Sequence, residues 1–409
     1  MPRRKLMKNL WAIGLIALFF IGCPATWENS CKIYLQQGDY ARAKEQALIG
    51  KQEQPDNYLV YTLLGKAEIG LNNYLGASEA FHKAFELDSL KTLKWLKSDK
   101  ENVSVYWQAL YNAAWTFTTE KKYEDALKTL ALCKLIDSSN VSQYILEGNA
   151  YIELGDKTKG MQAFKNALKQ DPEYAEAYYS IGNLYFDNQE YDSALHYYSS
   201  AISYFEKDYN KIKGALFKNV GYEKGIAQEM IRLWNEKRKE ELDHLLKVKL
   251  GIDGGLEAQS RNVEKFVKSS GGLGQSYYFS GMSYYSLKND SLALKNLKMA
   301  IEYLPDNYNA LLFAGELLIR LSKWSEARNL FEEASVLKPD NFVIWFYLGV
   351  CYAQEKNFKK AIEVYEEKAL PLEPKNVDLL TNLAYAYREI GNTKKALEYL
   401  KKIEELKKE

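Results

Sequence analysis

The stretch AYYSIGNLYFDNQEYDSALHYYSSAI, residues 177–202, carries a pattern of small residues that recurs along the whole chain. Gly182 stands twelve positions before Ala194, and Ala201 follows Ala194 by seven positions. An aromatic residue, Tyr191, lies three positions before Ala194. Self-similarity at a fixed period is the sequence signature of repeat architectures. Recurrence of this pattern along the chain therefore indicates a repeat protein.

A small residue at the position of Ala194 occurs nine times, as Ala43, Ala77, Ala126, Gly160, Ala194, Ala293, Ala327, Ala361 and Ala396. The successive differences in position are 34, 49, 34, 34, 99, 34, 34 and 35. The period is therefore 34, interrupted by two insertions, at 92–106 and 209–273, and by one slip of a single position. Several units end in a proline, which cannot continue the hydrogen-bond ladder of a helix. These prolines are Pro55, Pro172, Pro305 and Pro339.

This pattern resembles the tetratricopeptide repeat, in which each unit is a pair of antiparallel helices. The resemblance implies an all-α fold, an α-solenoid of about nine helix-turn-helix units with a helical insertion. Small residues let the two helices of a unit approach closely, while large side chains fill the gaps. Units 1–2 span residues 24–91, units 3–5 span 107–208 and units 6–9 span 274–409.

The slip of a single position falls in the eighth unit, at ALPLEPKN (residues 369–376). Pro371 is expected to distort the last turn of the second helix there, because proline removes a backbone donor from the helix.

Residues 1–22 are typical of a secretory signal. MPRRKLMKN is basic, and residues 10–22 form an uncharged run of 13, whereas a membrane-spanning helix needs about 20 apolar residues. The run ends in FIGC, residues 20–23, which resembles the bacterial lipobox, although Phe20 stands where leucine is usual. The resemblance implies that Cys23 is diacylated, for example with palmitate, and becomes the mature N-terminus. An ordinary or uncleaved signal, or a buried structural cysteine, are the alternatives.

The other three cysteines are expected to be small buried residues. Cys31 and Cys133 occupy small-residue positions of the repeat, and Cys351 lies on the first helix of the eighth unit. No CxxC sequence occurs, so neither a zinc site nor a disulfide framework is indicated.

Two segments interrupt the repeats. Residues 92–106 are expected to form an extra helical turn and a loop. Residues 209–273 carry 13 Lys/Arg against 9 Asp/Glu, show helical spacing of apolar residues around 226–234, and end in SSGGLG, residues 269–274, interpreted as a flexible return. We expect a helical excursion that projects from the solenoid. Its functional interpretation is a partner-docking or membrane-surface arm, although charged helices are mostly solvated faces. Two degenerate repeats are the alternative, because the length of this segment is close to twice the period.

The second, fifth, ninth, twelfth and thirteenth residues of each unit share one face of its first helix, which we call the groove face. Stacking of the units would line these faces along a concave groove. Aromatic rings offer contact area at low entropic cost, and asparagine can satisfy both halves of a peptide bond. The predicted partner-binding residues are Tyr111, Trp115, Asn149, Tyr179, Asn183, Phe186, Tyr278, Tyr285, Phe346, Tyr385 and Arg388.

Signals for catalysis are weak. The three histidines, His82, His196 and His244, lie near no arrangement typical of a triad or a metal site, and no GxSxG, HExxH or Walker sequence occurs. A net charge of +1 gives no basic field for nucleic acid. The sequence thus predicts no enzyme, metal or cofactor.

The two resemblances together imply a lipid-anchored scaffold that binds a protein or peptide during assembly of envelope complexes, facing the periplasm or cell exterior. A carrier of glycans or small ligands is the alternative, because aromatic grooves also stack sugars. An enzyme with a site in residues 209–273 is the third.

Overall fold

A computed structural model describes residues 26–218 and 220–407, and all regular elements in this part of the chain are helices. The chain divides into two compact bodies, one up to Pro172 and one from Glu173. We call them the N-terminal and C-terminal bodies. Both are α-solenoids of paired helices, so the predicted fold class is confirmed.

Between residues 26 and 172, the N-terminal body contains four helix pairs. They are α1 (Trp27–Gln37) with α2 (Tyr40–Glu53), α3 (Tyr58–Gly70) with α4 (Tyr74–Ser98), α5 (Val103–Thr119) with α6 (Tyr123–Ile136), and α7 (Ser142–Glu153) with α8 (Lys157–Gln170).

The C-terminal body begins with α9 (Ala175–Asp187), α10 (Tyr191–Leu216), α11 (Lys224–Asn235), α12 (Lys239–Val248), α13 (Gly255–Ser286) and α14 (Asp290–Tyr303). It continues with α15 (Tyr308–Arg320), α16 (Trp324–Leu337), α17 (Phe342–Gln354), α18 (Phe358–Val364), α19 (Val377–Glu389) and α20 (Thr393–Leu406).

The turn inside each repeat has one residue in the left-handed backbone region, five positions before the recurrent small residue. In the third unit this residue is Lys121, with φ 60°. The turn is closed by backbone hydrogen bonds from Lys121 N to Thr118 O (3.0 Å) and from Lys122 N to Phe117 O (2.8 Å). The geometry reverses the chain sharply and places the small residue on the second helix against the first.

The small residues of the first helices lie under large rings of the second helices. A Cβ atom added to Gly148 would lie 2.2 Å from the ring of Phe164, and one added to Gly182 would lie 2.6 Å from the ring of Tyr198. Such distances leave no space for a side chain, which is why these positions recur as small residues.

Cys31, Cys133 and Cys351 are buried and free, which confirms their expected role as small packing residues. The thiol of Cys31 donates to the carbonyl oxygen of Ala43 at 3.2 Å, so the two small residues of the first unit meet. Burial raises the pKa of Cys31 to about 11 and that of Cys133 and Cys351 to about 12. Cys23 lies outside the described residues.

The eighth unit accommodates its extra residue in a π-helical segment, Tyr365–Ala369, which follows α18 and leads into a final turn at Leu370–Leu372. A π-helical turn holds one residue more than an α-helical turn. The expected distortion next to Pro371 is confirmed, and it lies on the N-terminal side of the proline.

The short insertion is mostly helical. Helix α4 breaks at Asp88, with φ −156° and ψ 90°, and then continues to Ser98. Leu96 is fully buried, and the hydroxyl of Thr92 donates to the carbonyl oxygen of Ala84 at 2.9 Å. The inserted residues therefore pack into the N-terminal body, and α5 begins at Val103, before the predicted start of the third unit at position 107.

The long insertion contains one further helix pair of the repeat type, α11 with α12. Its turn has Lys237 at φ 59°, with backbone bonds from Lys237 N to Trp234 O (3.1 Å) and from Arg238 N to Leu233 O (2.9 Å). The small-residue positions are occupied by Met230 and Leu242, both buried. The rest of the insertion lengthens α10 and α13, so neither a simple excursion nor two repeats describes it.

Two expectations about the long insertion are wrong. Residues 269–274 are not a flexible return but lie within α13, because their small side chains allow a close contact between helices. A Cβ added to Gly272 would lie 2.5 Å from the ring of Phe205, and the hydroxyl of Ser270 donates to the carbonyl oxygen of Tyr303 at 2.7 Å. Nor does the insertion project freely, since Gln228 donates to the carbonyl oxygen of Glu302 at 3.3 Å.

Candidate functional site

The groove face of the N-terminal body exposes a large ring. Trp115, the ninth residue of the third unit, is 55% exposed on α5. One turn earlier on the same helix, the Tyr111 ring stacks on Trp107 with 5.0 Å between centroids. Asn149, the ninth residue of the fourth unit, is exposed on α7, and its amide makes no hydrogen bond within the described residues. Trp115 and Asn149 thus occupy the same position in consecutive units, both accessible to a partner.

The groove face of the second unit is occupied by the short insertion. Lys66, the ninth residue of that unit, places its Nζ 2.6 Å from the carboxylate of Asp99, and 5.7 and 5.8 Å from the ring centroids of Trp95 and Tyr106. Partial burial works to raise the pKa of Asp99, but hydrogen bonds from Lys66, Tyr106 and Asn102 lower it overall. Sequence analysis missed this network, because the repeat pattern does not specify where the inserted residues pack.

The predicted residues of the fifth unit already have partners inside the C-terminal body. Phe279 of α13 lies 6.1 Å from Tyr179 and 5.3 Å from Phe186, measured between ring centroids. Asn183 accepts a hydrogen bond of 2.8 Å from the hydroxyl of Tyr198. The sequence analysis assigned these side chains to an open groove, whereas their contacts in the structure are with the chain itself.

In the last four units the predicted rings divide into packed and exposed residues. The Phe346 ring stacks on Phe342 at 5.7 Å, and Tyr278 lies 5.1 Å from Phe279. Tyr385 is 43% exposed, and the guanidinium carbon of Arg388 lies 5.2 Å from its ring centroid. Tyr385 and Arg388 are therefore the most accessible of the predicted residues in the C-terminal body that carry a ring or a charge.

A half-buried carboxylate lies on the groove face of the seventh unit. Burial raises the pKa of Glu316, while Arg320 and the hydroxyl of Tyr347 work against that rise. Arg320 places its guanidinium carbon 4.8 Å from the ring centroid of Tyr285 and forms an ion pair of 3.3 Å with Asp290. Sequence analysis did not select Glu316, although its position as ninth residue of its unit is a signal that could have found it.

Cavities also occur in the long insertion, away from the groove face. The largest of those described has a volume of about 740 Å³ and an apolar floor of Leu233, Trp234, Leu242 and Leu256. Within residues 26–218 and 220–407, no three His, Cys, Asp or Glu side chains form a group that could hold a metal ion. None of the helices in the same range combines the length and the apolar character needed to span a bilayer.

Profiles of the tetratricopeptide repeat match residues 148–189, 175–208, 314–374 and 352–409. Residues 148–208 and 314–409 are therefore tetratricopeptide repeats. Proteins built of these repeats act as scaffolds for protein interactions. The matches fall in units 4–5 and 7–9, where the period runs without an insertion.

The relatives of this chain are distant in sequence. Superkiller protein 3 of Schizosaccharomyces pombe is 23% identical over 350 residues, which cover 81% of this chain and only 22% of that protein. A TPR repeat-containing protein of Methanocaldococcus jannaschii is 24% identical, covering 92% of this chain and 75% of its own length. Among solved structures, YrrB, described as a TPR protein with an unusual peptide-binding site, is 19% identical. It covers 61% of this chain and 95% of its own, with a TM-score of 0.39.

Proposed function

We propose that this protein is a lipid-anchored, extracytoplasmic scaffold that binds a segment of a partner protein along its groove face during assembly of envelope complexes. The observation that carries the binding part is the exposed ring of Trp115, with the exposed amide of Asn149 at the same position of the next unit.

The indole on the groove face differs from the other tryptophans described in the N-terminal body. Trp27 and Trp107 are buried, Trp95 is partly buried, and the indole nitrogen of Trp107 donates to Gln143 at 3.1 Å. Trp115 leaves more than half of its surface in water, where it makes little contribution to folding. Large rings of this kind act as anchors in protein interfaces, where a few tryptophans and tyrosines dominate the binding energy.

Asn149, at the same position of the next unit, adds polar recognition to that anchor. Its side-chain amide carries both a donor and an acceptor, which is the complement of one peptide unit of an extended partner segment. A ring and a free amide in consecutive units therefore favour a peptide ligand over a ligand recognised by charge.

The anchoring part rests on the motif FIGC, residues 20–23, and on the basic and apolar segments before it. A diacylated cysteine would hold the protein at a membrane without a spanning helix, since two acyl chains anchor stably where one does not.

A random peptide library screened against the full chain tests the binding proposal. Trp115→Ala should weaken the selected peptides at least about tenfold, the loss expected for removal of one aromatic anchor worth roughly 2 kcal/mol. Leu135→Ala is the matched control, because Leu135 is an exposed apolar residue on the second helix of the same unit. Peptide binding unaffected by Trp115→Ala would contradict the proposal. Binding of cell-wall glycan that is lost in Trp115→Ala would support a carrier instead.

A further inference from the structure

Lys66 is a partly buried cation on the groove face of the N-terminal body. It stands at the ninth position of the second unit, the position that Trp115 and Asn149 occupy in the third and fourth units. Its ammonium group lies 5.7 and 5.8 Å from the ring centroids of Trp95 and Tyr106, and its side chain is 25% exposed. A cation that has lost most of its contact with water needs an anion as its partner.

The anion is supplied by the short insertion. The carboxylate of Asp99 accepts a hydrogen bond of 2.6 Å from Nζ of Lys66, one of 2.8 Å from the side-chain amide of Asn102, and a third from the hydroxyl of Tyr106. Hydrogen bonds to an ionised acceptor are among the strongest in proteins. Three donors thus converge on one carboxylate, and this carboxylate lies where a partner segment would meet Lys66.

The insertion is held in place independently of Asp99. Leu96 is fully buried, and the hydroxyl of Thr92 donates to the carbonyl oxygen of Ala84 at 2.9 Å. The Asp99 side chain is 23% exposed, and the next two residues, 100–101, are exposed as well. A carboxylate at the surface of a segment that is fastened elsewhere can be exchanged for another carboxylate without unfolding the body.

We propose that Lys66, Tyr106 and Asn102 form a site for an acidic side chain of a partner segment, and that Asp99 occupies this site as an intramolecular competitor. The inference rests on the proposed function, because it specifies which partner segments enter the groove. While Asp99 is bound, the second unit offers no free cation, so an acidic segment gains nothing there. Removal of Asp99 exposes three donors that match the carboxylate of an aspartate in the partner.

The test uses the full chain and peptides that the random library yields, lengthened by a few alanine residues at each blocked end so that they can reach the second unit. Each position is replaced in turn by aspartate or asparagine, which have the same shape but differ in charge. In the variant Asp99→Ala, the aspartate peptide should bind about tenfold more tightly than the asparagine peptide for at least one position, because it gains charge-assisted hydrogen bonds. With the wild-type chain the same two peptides should agree within about twofold, since an intramolecular ligand competes at high effective concentration.

Glu101→Ala is the matched control, because it removes one negative charge from the same insertion and leaves the contacts of Lys66 intact. It should show no preference for aspartate. Combining Lys66→Met with Asp99→Ala should abolish the preference that Asp99→Ala creates, since the cation is then absent.

Sodium acetate is a probe of the same site that needs no peptide. It should raise the unfolding temperature of Asp99→Ala above that in sodium chloride of equal concentration, because a ligand of the native state stabilises it, and should not do so for the wild-type chain. Acetate without effect on Asp99→Ala, or equal binding of aspartate and asparagine peptides to that variant, would overturn the inference while peptide binding at Trp115 stands. Failure of every library peptide to bind either protein would overturn the proposed function, and with it the role of Lys66 in recognition.

Discussion

Two tyrosines at the same position in different units differ in whether their buried hydroxyl has a hydrogen-bond partner. Tyr198 and Tyr365 both lie four positions after the recurrent small residue and cover a glycine of the first helix. Tyr198 donates to Asn183 at 2.8 Å, whereas Val350 stands at the corresponding place near Tyr365. The hydroxyl of Tyr365 is buried and has no hydrogen-bond partner within the described chain. A buried polar group without a partner costs about 1–3 kcal/mol.

The two hydroxyls should therefore respond differently to removal. Tyr198→Phe should lower the free energy of unfolding by about 0.5–1.5 kcal/mol, because it breaks a hydrogen bond. Tyr365→Phe should leave it unchanged or slightly higher, because it removes an unpaired group of the same shape. Denaturant titration of the two variants side by side measures the difference. Equal losses in both would show that the hydroxyl of Tyr365 has a partner.

The tight packing of the small residues can also be tested by mutation. Gly182→Leu should lower the free energy of unfolding by about 1–3 kcal/mol, because its Cβ alone would lie 2.6 Å from the ring of Tyr198. Gly214→Leu is the control, since a Cβ there meets no atom within 4 Å. Denaturant titration should show the loss only for Gly182→Leu, and a stable Gly182 variant would contradict the packing between α9 and α10.

Within a helix pair, the recurrent small residues predict close contact between the two helices. That signal identified nine units without any structure, because small residues rarely recur at a fixed period by chance. It missed α11 and α12, because Met230 and Leu242 fill the same positions with large side chains. It also misjudged residues 269–274, because glycine and serine indicate flexibility until a facing helix is known.

The turn between α11 and α12 offers a test of its similarity to the repeats. Lys237 has a φ of 59°, which costs an L-residue roughly 1–2 kcal/mol relative to glycine. Lys237→Gly should therefore stabilise this helix pair by up to about 1 kcal/mol, and hydrogen exchange of its amides should slow. Lys239→Gly places glycine in the first turn of α12 and should destabilise the helix pair, so that exchange of its amides becomes faster. Faster exchange in Lys237→Gly would contradict the turn geometry.

Across the whole molecule, the position of a residue in its repeat predicts whether it lies on the groove face but not whether its side chain is exposed. The same rule selected Trp115, which is exposed, and Phe186, which packs against Phe279. This difference in exposure arises from side chains of other units. The periodicity of a single helix contains no information about those side chains. The partial burial of Glu316 could not be predicted from its position for a related reason, because it depends on neighbouring side chains.

The proposed attachment of the protein to a membrane depends on Cys23, which lies outside the described part of the chain. Cys23→Ser should release the protein from the membrane fraction, or leave a precursor that keeps the segment 1–22, because the sulfur atom proposed to carry the acyl chain is lost. Cell fractionation and metabolic labelling with a radioactive fatty acid measure both outcomes. Cys133→Ser is the control, since Cys133 is fully buried and burial raises the pKa of its thiol to about 12, so that it should carry no lipid label. A wild-type protein without lipid label, retained in the membrane equally with its Cys23→Ser variant, would contradict lipid anchoring and leave the groove as the function to be tested.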